Sequence, residues 1–111
     1  MKKFLVLYKA SASGFEQMKH STSEQQKQGM DAWMAWAKRS ASSILDMGAP
    51  LGKTVRVTPA STSSVSNDLG GYSILQAESK EALAETMQGH PHFMMPDSSI
   101  EIVEIMPVPG M

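Results

Sequence analysis

The sequence predicts an α+β domain with the ferredoxin-like order β-α-β-β-α-β, in which one antiparallel sheet carries two helices on one face. Three observations support this prediction. A continuous apolar run at the amino terminus, Phe4 to Tyr8, is typical of a buried central strand. A long amphipathic segment with two tryptophans follows it. The chain closes with Ile100 to Met106, whose alternating pattern is typical of a half-buried strand.

Length and composition limit the class of protein. A chain of 111 residues predicts a single domain, residues 1–111, and 41% hydrophobic with 19% charged residues is ordinary for a globular protein. The net charge of -1 argues against nucleic-acid binding, which needs a basic face. The absence of cysteine excludes disulfides and thiolate sites. No apolar stretch reaches the roughly 18 residues of a membrane span, so we expect a cytoplasmic protein without membrane contact.

The first helix is predicted from near Ser23 to Met47, with Gly48 at its left-handed end and Pro50 preventing its continuation. At roughly 100° per residue, an apolar arc is expected to face the sheet, with Trp33 and Trp36 on one flank. The residues of that arc are Met30, Met34, Ala37, Ala41, Ile44 and Leu45. The polar segment before the helix, residues 11–23, is predicted as a loop with one helical turn near residues 15–18.

The remaining elements follow from alternation and turn residues. The predicted elements are strands at Lys53 to Thr58, Tyr72 to Ala77 and Ile100 to Met106, a helix from Ser79 to Gly89, and a proline-containing loop from His90 to Ser98. Ile100 and Ile102 point to one face of the last strand, while Val103 and Ile105 point to the other. Because both faces are apolar, we expect a second subunit to cover the outer face of the sheet in a homodimer.

An ordered set of segments resembles the YCII-related family, and most closely its DGPF subgroup. These segments are FLVLYK, the W-x-x-W of the first helix, GAPLG, GGYSILQAES, GHPHF and IEIVEIMPV. The resemblance implies a dimeric α/β barrel in which two ferredoxin-like sheets pack face to face. It also implies either an enzymatic activity, as for YCII-like members, or a link to alternative sigma factors of the extracytoplasmic type, as for DGPF members.

The family resemblance also implies a candidate acid/base pair. YCII-type members carry a histidine on the first helix and an aspartate before a proline after the second helix. The corresponding positions here are Asp31 and His90, the latter followed by Pro91, so the two residue types are exchanged. A carboxylate would orient and activate the histidine for proton transfer. This hypothesis requires Asp31 and His90 to lie within about 7 Å, in one chain or across the dimer.

Two alternatives compete with this hypothesis. His90 follows Gly89 and is also expected to cap the second helix by bonding its terminal carbonyls. His90 and His92 form a His-x-His pair that could bind a metal with one further ligand. The candidates for that ligand are His20, Asp97 and Asp31. Because a metal site needs three or four convergent ligands, we expect no metal and no cofactor.

The tryptophans indicate a ligand pocket or an interface. Trp33 and Trp36 are candidates to line a cavity between helix and sheet, although packing at a dimer interface is the alternative. The further candidates for the pocket are Tyr8, His92 and Phe93. Two functions follow: a small dimeric ligand-binding or regulatory protein, or a cofactor-independent enzyme that uses Asp31 and His90 for acid/base chemistry on a small organic molecule.

Overall fold

The computed structural model describes residues 1–110. Its strands are β1 (Lys2–Ala10), β2 (Ile44–Pro50), β3 (Thr54–Val57), β4 (Thr62–Val65), β5 (Leu69–Ala77) and β6 (Ser98–Glu104). Its helices are α1 (Ala12–Lys19), α2 (Ser23–Arg39) and α3 (Lys80–Thr86), with short 3-10 turns at Ala41–Ser43 and Pro91–Met94. No helix in residues 1–110 is long and apolar enough to cross a bilayer.

Four strands form one antiparallel sheet in the order β2-β5-β1-β6. The crossover from β1 through the helices to β2 skips one strand, as does the crossover from β5 through α3 to β6. This is the split βαβ arrangement of the ferredoxin-like fold, and the predicted fold class is confirmed. β3 and β4 form a separate two-stranded hairpin between β2 and β5.

The two faces of the sheet differ in burial. Phe4, Val6 and Tyr8 of β1 are buried on the inner face, because alternate residues of a strand point to the same side. The buried core comprises Phe4, Val6, Tyr8, Trp36, Leu75, Leu83 and Met87. The opposite surface, called here the outer face, carries apolar residues in register across three strands. These residues are Leu5, Leu7, Tyr72, Ile74 and Val103.

Side-chain caps define where the helices begin. The Thr22 hydroxyl accepts a hydrogen bond from the Gln25 N–H at 3.1 Å, and the Gln25 side chain accepts one from the Thr22 N–H at 2.9 Å. The predicted start of α2 near Ser23 is confirmed, although Thr22 and Gln25 form the capping box rather than the pair Ser21 and Glu24 that the sequence pattern also fits. Ser79 caps α3 by accepting from the Ala82 N–H at 3.0 Å, also as predicted. α1 is a full helix of eight residues, so the prediction of a loop there was wrong.

The predicted core face of α2 is right at Ala37, which packs against the core, but wrong at Met30 and Met34. Met30 and Met34 are 63% and 62% exposed, whereas Trp36 is 1% exposed and Trp33 packs against the core. The predicted arc continues beyond the true end of the helix, and helical periodicity does not distinguish methionine from tryptophan. Because an indole buries far more apolar surface, the tryptophan flank is the side that faces the sheet.

The predicted carboxyl half of that helix was also wrong, because α2 ends at Arg39 and residues 44–50 form strand β2. Ile44 pairs with Leu75 and Ala49 with Tyr72, so pairing with β5 overrides the local helical pattern. The strand predicted at residues 53–58 exists as β3, but it lies in the hairpin rather than in the main sheet.

β2 is irregular around Gly48. The register shifts twice along the strand, and Gly48 adopts a φ of 76°. The Met47 carbonyl is satisfied by the Ser73 hydroxyl, which donates to it at 2.8 Å. A Cβ at Gly48 would overlap the backbone carbonyl of Tyr72. Only glycine therefore allows this close approach of β2 to β5.

Replacing Gly48 by alanine is expected to lower the free energy of unfolding by about 2–4 kcal/mol, because alanine is strained at positive φ and its Cβ meets the β5 backbone. Chemical denaturation measures this difference. Gly52→Ala is the control, since a Cβ there meets nothing within 4 Å and the change should stay within about 0.5 kcal/mol. Equal stabilities of the two variants would contradict the role of Gly48.

Candidate functional site

His90 links α3 to the segment that leads into β6. Its Nδ1 accepts a hydrogen bond from the His92 N–H at 3.0 Å and thereby caps the 3-10 turn Pro91–Met94. Its backbone N–H donates to the Met87 carbonyl at 3.1 Å. The prediction that the His90 side chain caps α3 is therefore wrong. The imidazole instead caps the turn that follows, and only the backbone N–H of His90 bonds the end of α3.

The His90 ring lies in a cluster of aromatic side chains. Its centroid is 4.5 Å from that of Trp36, 4.7 Å from that of Trp33 and 5.2 Å from that of Tyr8. We call these four residues the aromatic box. The alignment of β1, α2 and the segment after α3 brings them together, and His90 is only 1% exposed.

Two polar atoms are sealed in the aromatic box without a partner. Because His90 Nδ1 accepts a hydrogen bond, the proton of the neutral ring lies on Nε2. Within residues 1–110, neither His90 Nε2 nor Trp36 Nε1 has a hydrogen-bond partner. Sealed polar atoms without partners are uncommon in native proteins. The aromatic box therefore buries two N–H donors whose hydrogen bonds are not made within the described residues.

Burial sets the charge of His90. Desolvation lowers the pKa of His90 from 6.5 to about 4, and the charge of His92, when that ring is protonated, and of Arg39 acts in the same direction. The ring is therefore neutral near pH 7. Tyr8 also stays protonated, because burial raises its pKa. Its hydroxyl is 2.9 Å from the Ser73 hydroxyl, which itself donates to the Met47 carbonyl, so Tyr8 is the donor in this pair.

An open cavity lies beside the aromatic box. It has a volume of about 340 Å³ and is enclosed by α1, the first half of α2 and the segment before β6. We call it the α1–α2 cavity. Its lining residues are Gln17, Met18, Ser21, Gln25, Gln28, Gly29, Trp33, Pro91, His92, Met94, Met95 and Pro96. His92 is held in its wall by a hydrogen bond of 2.8 Å between its Nε2 and the Lys9 carbonyl.

The predicted pocket residues divide between the two sites. Trp33 and His92 line the α1–α2 cavity, while Tyr8 and Trp36 lie in the aromatic box behind Trp33. Phe93 is 46% exposed and lies outside the lining. Three glutamines of the cavity were missed: Gln17 because α1 was predicted as a loop, and Gln25 and Gln28 because the polar side of α2 was expected to face solvent. The capping pattern at Ser11, which accepts from the Gly14 N–H, was the available sequence signal.

Asp31 lies on a different side of α2 from the aromatic box. Asp31 is exposed, and it lies about 200° around the helix from Trp33, whose ring contacts His90. No hydrogen bond joins the two side chains in the part of the chain that the structure describes. The exchanged pair therefore remains a prediction.

The structure does not support the metal hypothesis in the described residues. The described residues contain no group of three or more histidine, cysteine, aspartate or glutamate side chains that could hold a metal ion. His20 lies on the surface of α1, where its Nε2 is 3.3 Å from the Glu16 carboxylate. His92 Nε2 is already hydrogen-bonded to the Lys9 carbonyl.

Comparisons with known proteins support the fold. No protein-family model and no curated protein matches this chain. Among solved structures, it is similar to 5-chloro-2-hydroxyhydroquinone dehydrochlorinase from Burkholderia phenoliruptrix AC1100, in complex with 2,5-dihydroxybenzoquinone. The TM-score is 0.51 at 16% sequence identity, over 89% of this chain and 90% of that chain. The shared architecture is the ferredoxin-like subunit expected for a dimeric α/β barrel.

The lowered pKa of His90 makes stability depend on pH. Well above pH 6.5 this ring is neutral in both the folded and the unfolded state, and its contribution to the free energy of unfolding is complete. As the pH falls toward 4, the unfolded state gains a proton that the folded state excludes. We expect the free energy of unfolding to fall by about 3 kcal/mol between pH 6.5 and pH 4. Chemical denaturation at a series of pH values measures this change.

His90→Asn is the matched variant for this experiment. Its side-chain oxygen can accept from the His92 N–H and keep the cap, but it does not titrate. The variant should lose most of the pH dependence between 6.5 and 4 while His20 and His92 remain. If the free energy of unfolding of His90→Asn depends on pH as that of the wild type does, another group causes the pH dependence.

Proposed function

We propose that this chain is a small ligand-binding protein of the dimeric α/β-barrel type, whose α1–α2 cavity takes a compact, uncharged organic molecule. The observation that carries this proposal is the cavity itself. Its volume of about 340 Å³ lies at the lower end of the range of about 300–1,000 Å³ for small-molecule sites. Its walls combine apolar side chains with a few polar ones, as such sites do.

The lining determines the kind of ligand. Among the described residues that enclose the cavity, none is aspartate, glutamate, lysine or arginine. A charged ligand would lose hydration without gaining a counter-charge, so a neutral molecule is favoured. Trp33 and Met94 offer apolar contact, while Gln25 and Gln28 offer hydrogen bonds. The solved structure with the similar fold also holds a compact ring compound, 2,5-dihydroxybenzoquinone.

The proposal includes a family assignment. The ordered segments in the sequence, together with the ferredoxin-like topology, support distant membership of the YCII-related family and its DGPF subgroup. Binding without catalysis is consistent with a regulatory role of the kind that the DGPF resemblance implies.

A filled cavity should no longer bind ligand. Gly29 lies in the wall of the cavity on α2, and a Cβ there meets nothing within 4 Å. Gly29→Leu should therefore place its side chain in the cavity without strain. Two neutral two-ring compounds, 2-naphthol and 2-methoxynaphthalene, serve as probes. At a ligand concentration near 100 times Kd, binding adds about 2.7 kcal/mol to wild-type stability and raises Tm by several degrees.

Gly29→Ala is the control. Both variants improve helix propensity by about 1 kcal/mol, so both should remain folded, but only leucine occupies the cavity. We expect Gly29→Ala to keep the Tm increase with ligand and Gly29→Leu to lose it. If neither probe stabilises the wild-type protein, or if Gly29→Leu responds as the wild type does, the cavity is not the binding site.

We also propose a homodimer formed through the outer face. Leu5, Leu7 and Ile74 lie on this face, and Val103 is 45% exposed beside them. The helices cover the opposite side of the sheet, so a second copy packed face to face would bury this surface. Identical faces are self-complementary in a two-fold dimer.

A charge on the outer face should dissociate this dimer. Val103→Glu places a carboxylate in the proposed interface, where burying it is unfavourable. The molar mass measured by light scattering coupled to size exclusion should therefore fall from twice the chain mass to the chain mass. Met34→Glu is the control, since Met34 is an apolar residue of similar exposure, 62%, on α2. A monomeric wild-type protein, or equal dissociation of the two variants, would contradict the proposed interface.

The enzymatic alternative rests on a separate observation. His90 is neutral, buried and directly against Trp33, which lines the cavity, so a titratable ring lies close to a candidate substrate site. In this alternative, Asp31 orients His90 for acid/base chemistry. A crystal structure of the dimer measures the separation of Asp31 and His90. A separation above about 7 Å removes this alternative.

A further inference from the structure

The two nitrogens of His92 have different roles. Nε2 is 2.8 Å from the Lys9 carbonyl, and a carbonyl only accepts, so Nε2 carries a proton and donates it. In the neutral ring, Nδ1 then has a free lone pair. Nδ1 has no hydrogen-bond partner within residues 1–110, and it is not among the atoms sealed from solvent, which are His90 Nε2 and Trp36 Nε1.

The location of His92 indicates where that lone pair is accessible. The residue is only 6% exposed, yet it forms part of the wall of the α1–α2 cavity. The Lys9 carbonyl holds one side of the ring to β1, so the ring cannot turn over without losing a buried hydrogen bond.

We propose that His92 Nδ1 accepts a hydrogen bond from a hydroxyl group of the ligand, and that the ligand class is a neutral hydroxylated aromatic compound, a phenol or a related enol. This inference rests on the proposed function, because it names the ligand of the same cavity. His92 serves here as a binding and orienting residue.

Three features of the wall support this class of ligand. Trp33 and the methionine side chains favour an aromatic ring through stacking and sulfur contacts. The absence of charged side chains in the described lining disfavours ions. A carboxylate ligand would also place its lone pairs against the lone pair of Nδ1, whereas an O–H group complements it.

A matched pair of ligands tests the hydrogen bond. 2-Naphthol and 2-methoxynaphthalene share one ring system, but only the first has an O–H donor. We expect the wild-type protein to bind 2-naphthol about tenfold more tightly, as one hydrogen bond at a buried site predicts. Calorimetry or ligand-observed NMR gives both Kd values. The nitrogen shift of His92 Nδ1 should also move when 2-naphthol binds, and it should not move with the ether.

His92→Gln separates binding from structure. The glutamine amide can donate to the Lys9 carbonyl in place of Nε2, but it offers no acceptor at the position of Nδ1. The variant should keep its fold and bind both compounds with the affinity that the wild type shows for the ether. Equal wild-type affinities for both compounds, or an unchanged preference in His92→Gln, would overturn this inference and leave the proposed function intact. Failure of both compounds to bind would overturn the proposed function itself.

Discussion

The packing of His90 between the tryptophans of α2 and Tyr8 of β1 is the interaction on which the rest of the structure depends. It joins the helical layer to the sheet, and it connects both to the segment that enters β6. The aromatic rings supply much of the buried surface in a small core. Because His90 also caps the turn at Pro91–Met94, the same contact positions the wall of the α1–α2 cavity.

This arrangement gives two neighbouring histidines different chemistry. The bond from the His92 N–H to His90 Nδ1 places the proton of His90 on a sealed nitrogen. The bond from His92 to the Lys9 carbonyl leaves the other nitrogen of His92 free. His90 is thus a buried donor, and His92 is an acceptor beside an open cavity. Burial and backbone partners, rather than residue type, assign these roles.

Part of the site could be expected from the sequence. Trp33 and His92 were predicted as pocket residues, and both line the cavity. Gln17 and its neighbours were missed, because a short polar helix shows little apolar periodicity. Asp31 was placed opposite His90 from a family pattern, yet the helix turns it away from the aromatic box. Sequence position alone does not tell which side of a helix faces the sheet.

The sequence by itself determined the buried first strand, the last two strands of the sheet, and the starts of α2 and α3, since these depend on local apolar patterns and caps. Tertiary structure decided the rest. Residues 44–50 have a helix-like pattern, but they become β2 because β5 offers a free edge and Gly48 allows close approach. The burial of tryptophan rather than methionine was decided in the same way, since packing rewards the larger surface that the sheet can cover.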